Sequence, residues 1–242
     1  MRAVLPTGRG QLAQMPEGLR ALAGGLRELK VLSARLAEVP AWVGDLTKLE
    51  DLTLGGDNKG AVANTELTAL PVNLFQLGAL KHLTLQTLAK LQEMPDASGL
   101  TLLESLTIEH CHKLTALPAG LFQLGALKQL TLRWLSGLQE VPDILGRMTP
   151  RERLTLSACH ELRALPASIM HLTRLQHLEI DRCPLQDMPC IEALTALRNL
   201  DLRVNDYTPA SRTFQALSRA LPRSAAAPPR RAAPRLRRHL LL

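Results

Sequence analysis

One phrase is spelled almost identically twice in this chain. Residues 67–85 read LTALPVNLFQLGALKHLTL and residues 114–132 read LTALPAGLFQLGALKQLTL, 47 positions apart. Behind these two lies a shorter signature, Leu-x-x-hydrophobic-Pro, whose Leu falls at Leu12, Leu36, Leu67, Leu91, Leu114, Leu138, Leu162 and Leu185, at intervals of 24, 31, 24, 23, 24, 24 and 23. A chain that repeats one unit at a fixed period does not fold around a single central core. Each unit packs on the one before and the one after, and the result is a solenoid.

The interior of the unit says what kind. Each repeat contains Leu-x-x-Leu-x-Leu, and the Leu-x-Leu alternation is the period of a short strand with one buried side. The Pro that follows Leu-x-x-hydrophobic fixes φ and removes a donor, which suits a chain leaving a sheet. The fold class expected is α/β: a leucine-rich-repeat horseshoe of about eight 23–24-residue repeats, with short parallel strands on the concave face and a helical cap at the carboxyl terminus. Residues 1–11 read as a frayed lead-in and residues 12–207 as the repeats. Residues 208–222 read as the cap helix, started by Thr208 and Pro209. Residues 223–242, rich in Arg, Ala and Pro, read as disordered. The interval of 31 reflects extra residues after Gly55, an insertion of the sort that maps to a surface loop. Arg151 stands where Leu80, Leu103, Leu127, Leu175 and Leu197 stand in other repeats, and a local distortion is expected there.

Charge is instructive only by position. The formal net charge is +7, yet Arg223, Arg230, Arg231, Arg235, Arg237 and Arg238 supply most of it; without those six, 23 basic residues stand against 22 acidic ones. The repeat body is close to neutral, which removes the main support for a nucleic-acid partner. No run of eighteen apolar residues occurs, so no membrane span is expected, and the first fifteen residues lack the apolar block of a secretory signal. The 4 cysteines then suit a reducing compartment.

Chemistry has few places to reside. Cys111, Cys159 and Cys183 each follow the last strand hydrophobe (Ile108, Leu156, Ile180) by three residues, the slot of an inward-facing ladder that bonds the backbone of the turn. Asp57 and Asn205 occupy the same slot elsewhere. A metal site built from Cys159, Cys183 and nearby histidines is conceivable on spacing, but the ladder accounts for the cysteines, and neither metal nor cofactor is expected. Cys190 lacks a basic neighbour in sequence that would activate it. No phosphate loop, nucleophile elbow or metalloprotease helix appears, so no catalytic residue is assigned.

What remains is the concave surface. The fifth strand position is Thr53, Thr84, Thr107, Thr131 and Thr155 in successive repeats, then Glu179 and Asp201. Flanking this row, the expected protein-binding face comprises His82, Glu109, His110, Arg133, Trp134, Arg153, His177, Asp181 and Arg203. Arg133 and Trp134 stand at its centre, because Trp and Arg most often anchor interfaces. Trp42 is expected on the convex side, packed locally.

The phrases LPASIMHLTRLQHLEIDRCPL (165–185) and LPAGLFQLGALKQLTL (117–132) resemble the repeat regions of leucine-rich-repeat type III effectors of plant-pathogenic bacteria, the XopL, XopAE and PopC kind. The resemblance spans about residues 12 to 222. It implies a module that selects host proteins, as the repeats do in effectors carrying a carboxyl-terminal E3 ubiquitin-ligase domain. It also implies delivery into the host cell by a type III system, and action as a monomer. Here the chain ends soon after the expected cap, so the ligase domain is expected to be absent, and the Arg/Ala/Pro composition of 223–242 suggests a truncation or frameshift. A general intracellular scaffold without a virulence role is the alternative; a Cys190-dependent enzyme is a third reading.

Overall fold

The computed structural model describes residues 1–5, 13–32, 35–56, 66–142, 152–186 and 193–203. Nine strands form one parallel sheet in strict chain order: β1 (Arg2–Leu5), β2 (Glu28–Leu32), β3 (Asp51–Gly55), β4 (His82–Gln86), β5 (Ser105–Glu109), β6 (Gln129–Arg133), β7 (Glu152–Ser157), β8 (Leu175–Asp181) and β9 (Asn199–Arg203). Parallel neighbours in sequence order require every connection to return on the same side, which is the topology of a leucine-rich-repeat solenoid. At about 4.8 Å per strand the sheet runs on the order of 38 Å.

The register follows from the leucines. Leu52, Leu83, Leu106, Leu130 and Leu154 are aligned across β3 to β7, as are Leu54, Leu85, Ile108, Leu132 and Leu156. All are buried. A slip of one residue would turn each pair out into water, so the repeat enforces its own register. Between them Thr53, Thr84, Thr107, Thr131 and Thr155 align on the outer face, followed by Glu179 and Asp201. With so few aromatic residues, the interior is a spine of leucine, and Phe75 is its one large fully buried aromatic among the described residues.

The return path is short. Pro16, Pro40, Pro71, Pro118 and Pro166 each sit at φ between −63° and −69° and open a single 3-10 segment: Glu17–Leu22, Ala41–Asp45, Val72–Gln76, Ala119–Gln123 and Ala167–His171. The Pro carbonyl accepts the first bond of each, as from Val43 N–H at 3.0 Å and Leu74 N–H at 3.1 Å. Five or six residues are too few to nucleate an α-helix, and the tighter i→i+3 pattern takes its place. The repeat opened by Leu91 is one residue shorter and crosses residues 95–102 in turns alone. Trp42 lies in one of these convex segments and packs against the core, as expected.

Two differences from the sequence reading are physical. Residues 2–5, read as part of a lead-in, form β1 and pair in register with β2, because Ala3 and Leu5 partly cover the open end of the leucine spine. The sheet therefore has nine strands where eight repeats were counted: β1 precedes the first Leu-x-x-hydrophobic-Pro phrase and carries no signature of its own. Next to Arg151, the pairing of β7 with β8 shifts between Glu152 and Arg153. That is where the charge in a leucine slot led a distortion to be expected, although Arg151 itself lies outside the described residues. So do Asp57 and most of the insertion, Cys190, Asn205, the expected cap helix and the carboxyl-terminal tail.

Candidate protein-binding face

The residue that follows each of β4 to β8 has an unexpected backbone. Thr87, His110, Trp134, Ala158 and Arg182 occupy one position in five successive repeats, and all have positive φ, between 52° and 59°. Left-handed backbone is costly for β-branched or bulky side chains. It persists because it aims each N–H at the next strand: Thr87 N donates to Glu109 O at 2.7 Å, His110 N to Arg133 O at 2.9 Å, Trp134 N to Ser157 O at 2.8 Å and Ala158 N to Asp181 O at 2.8 Å. The sheet ladder is thus continued one residue past the strands.

This turn aligns the side chains along the rim. The His110 and Trp134 rings stack with centroids 5.5 Å apart and planes 7° from parallel. Arg182, two repeats further on, reaches over Trp134 with its Cζ 5.8 Å from the ring centroid. The position between is Ala158, small and buried, which leaves the space for that reach. Trp134 therefore does not project freely beside Arg133. It is half-buried, with an imidazole and a guanidinium at its faces. His112 meets His110 edge-on at 6.0 Å and bonds Ser136 Oγ through Nδ1 at 3.2 Å. Burial, and then the neighbouring His112, hold the His110 pKa below its ordinary value against the opposing pull of Glu109.

Inside the rim lies a charge network. Arg133 stands 3.7 Å from Glu109 and 3.9 Å from Glu179. Asp181 accepts from Ser157 Oγ at 3.3 Å and pairs with Arg182 at 3.6 Å. Of the nine residues expected on this face, the structure gathers Glu109, His110, Arg133, Trp134 and Asp181 into one contiguous patch with Arg182 and Glu179. His82 stands apart on β4, 4.0 Å from Asp51. Arg153 and His177 are register partners at the strand-entry side of the sheet, and Arg203 ends β9 opposite Asp181.

Sequence reasoning missed a second ladder. In the position just before each strand, Arg27, Glu50, Lys81, Glu104 and Lys128 alternate in sign. Glu50 binds both Arg27 and Lys81, and Lys128 binds Glu104 at 2.6 Å. The signal was present as sign alternation at the repeat spacing, but it is visible only once the strands are in register. Hydrogen bonds from Lys81 and Arg27 hold the Glu50 carboxyl below its usual range, and Lys128 does the same for Glu104.

The cysteines do what the ladder requires. Cys111, Cys159 and Cys183 are buried, and their thiols donate to the carbonyls of Glu109, Ser157 and Asp181 at 3.5, 3.7 and 3.4 Å. Burial pushes the Cys111 thiol up to about 12. A hydrogen bond with the Cys183 thiol, and then burial, push Cys159 up as well. The same hydrogen bond lowers the Cys183 thiol, while Cys111 and Cys159, neutral and enclosed, are poor nucleophiles. Among the described residues no group of three or more His, Cys, Asp or Glu is placed to hold a metal, and no helix is long and apolar enough to cross a membrane.

No protein-family model matches the chain, and no curated protein matches it. Solved structures do. The leucine-rich repeat domain of the type III effector XopL is 26% identical, covering 83% of this chain and 75% of that one, with a TM-score of 0.57. The fold is a leucine-rich repeat. Toll in the Drosophila Toll–Spatzle complex is 22% identical with a TM-score of 0.61, covering 82% of this chain and 26% of that one, a likeness of fold alone.

Proposed function

We propose that this leucine-rich repeat is a protein-recognition module whose partner docks on the concave face, centred on the rim where Trp134 lies between His110 and Arg182. That stack carries the reading. A half-buried indole held by its neighbours and its backbone presents its exposed edge with little conformational entropy left to lose on binding. Around it, Arg133, Glu109 and Asp181 offer charges of both signs, which suits a protein surface better than a polyanion.

The likeness to the XopL repeat domain supports a more specific proposal. The module selects host targets for a type III secreted effector of the E3 ubiquitin-ligase kind and works in the host cytoplasm as a monomer. A general scaffold without a virulence role is the alternative. A translocation reporter fused to the chain separates them, since a scaffold is not delivered into host cells. The module by itself is expected to be inactive in a ubiquitination assay. For the face, Trp134→Ala with Arg133→Ala is expected to weaken partner capture at least tenfold with the melting temperature nearly unchanged. Undiminished capture refutes the placement.

A further inference from the structure

The strand-entry ladder changes character along the sheet. From β2 to β6 every cation in that row has a carboxylate: Arg27 and Lys81 share Glu50, and Lys128 has Glu104. At β7 the row holds Glu152. At β8 the alternation lapses, because the position holds Gln176, and at β9 it holds Arg198, whose backbone N–H donates to Gln176 O at 2.9 Å. Arg198 is exposed. So is Arg153 on β7, and among the described residues neither guanidinium has an ion-pair partner. Between them stands His177, in register with Arg153 on one side and with Asn199 on the other. Its Nδ1 is buried without a hydrogen-bond partner among the described residues.

We infer that Arg153, His177 and Arg198 form a subsite for an acidic, extended segment of the partner protein, whose side-chain carboxylates pair with the two guanidiniums. The inference rests on the concave-face reading above and names the chemistry of one part of the partner. Three observations carry it. The row alternates in sign through Glu152 on β7 and then gives way to Gln176, which leaves Arg198 at β9 with no anion in the neighbouring position of the row. The two unpaired guanidiniums flank a histidine whose buried nitrogen is also unpaired. The geometry suits a chain running along the solenoid: residues two strands apart are separated by about 9.6 Å, close to the roughly 9 Å between same-face side chains three positions apart in an extended polyproline II segment. Two of the nearby acids do not close the subsite. Glu179 and Asp201 stand further along their strands, and Glu179 is turned to Arg133.

The test uses the full chain and a hexaglutamate peptide, followed through the imidazole proton–carbon signals of His177, which His177→Gln assigns. Hexaglutamate is expected to shift those signals in a saturable way, hexaglutamine to leave them unmoved, and Arg153→Gln with Arg198→Gln to weaken the effect at least tenfold with an unchanged melting temperature. Hexaglutamate binding that leaves His177 unmoved, as at the arginines of 223–242, overturns the inference. Equal shifts in the double variant, or tighter binding of a single-stranded oligothymidylate at His177, overturn it too. If Trp134→Ala with Arg133→Ala still weakens partner capture in that event, the concave-face reading survives and only this subsite falls.

Discussion

Gly55 shows how narrowly a repeat can constrain one position. Its φ is 138°, and a methyl group added there would overlap the Gln86 carbonyl oxygen of the next strand. Gln86 also donates to Gly56 O at 2.7 Å, so this close approach holds the chain where it enters the insertion. Gly55→Ala is expected to cost at least about 1 kcal/mol in denaturant unfolding, because an L side chain meets both strain and overlap. The histidines give a second test. Burial, then Arg153 and Arg198, hold His177 below its ordinary value of 6.5, and burial, then His112, does so for His110. The unfolded chain therefore binds more protons in the window just below that value. Stability contributed by these neutral rings is present above it and lost as pH falls through the window. An NMR titration should place both midpoints below 6.5, with Arg153→Gln raising that of His177. A midpoint for His177 at or above the free value contradicts the packing described.

Each strand is held by leucines that point in and by ladders at its two ends. Leu106 on β5 is fully buried, and Leu106→Ala should destabilise by about 2–5 kcal/mol, since neighbouring repeats cannot close fully on the cavity. The entry ladder behaves differently, being exposed and screened by salt. Glu50→Lys sets three cations side by side, and the fall in melting temperature should be larger in low salt than in 1 M salt; an equal fall at both would mean that packing, rather than charge, is what Glu50 supplies. The depressed carboxyls of Glu50 and Glu104 favour the fold above the ordinary value of 4.5, and that contribution fades as pH falls below it. At the exit end, Cys111, Cys159 and Cys183 should resist a thiol reagent at pH 8 in the native protein and react on unfolding. Rapid native labelling of all three would contradict their enclosure.

Because each repeat touches only its neighbours, stability should be graded along the solenoid. The strand leucines of β4, β5 and β6 are fully buried, whereas Ala3 and Leu5 on β1 and Leu200 and Leu202 on β9 are only partly so. Amide exchange is expected to be slowest in β4 to β6 and faster at both ends; uniform protection would indicate one cooperative unit instead. The architecture itself was legible in the letters. Leucine spacing specified strands, register and inward face, since a buried apolar side chain acts wherever it occurs and needs no particular partner. The threonine row and the cysteine ladder could be read for the same reason. Three features could not. β1 bears no repeat phrase, and only the exposed end of the spine recruits it. The left-handed turn that stacks Trp134 between His110 and Arg182 depends on hydrogen bonds to the following strand. The charge ladder from Arg27 to Lys128 joins residues 23 to 31 positions apart. Burial is a property of a residue and its period, so the chain declares it. Stacking and ion pairing belong to pairs of residues, and they come into being only when the solenoid brings those pairs within a few ångströms.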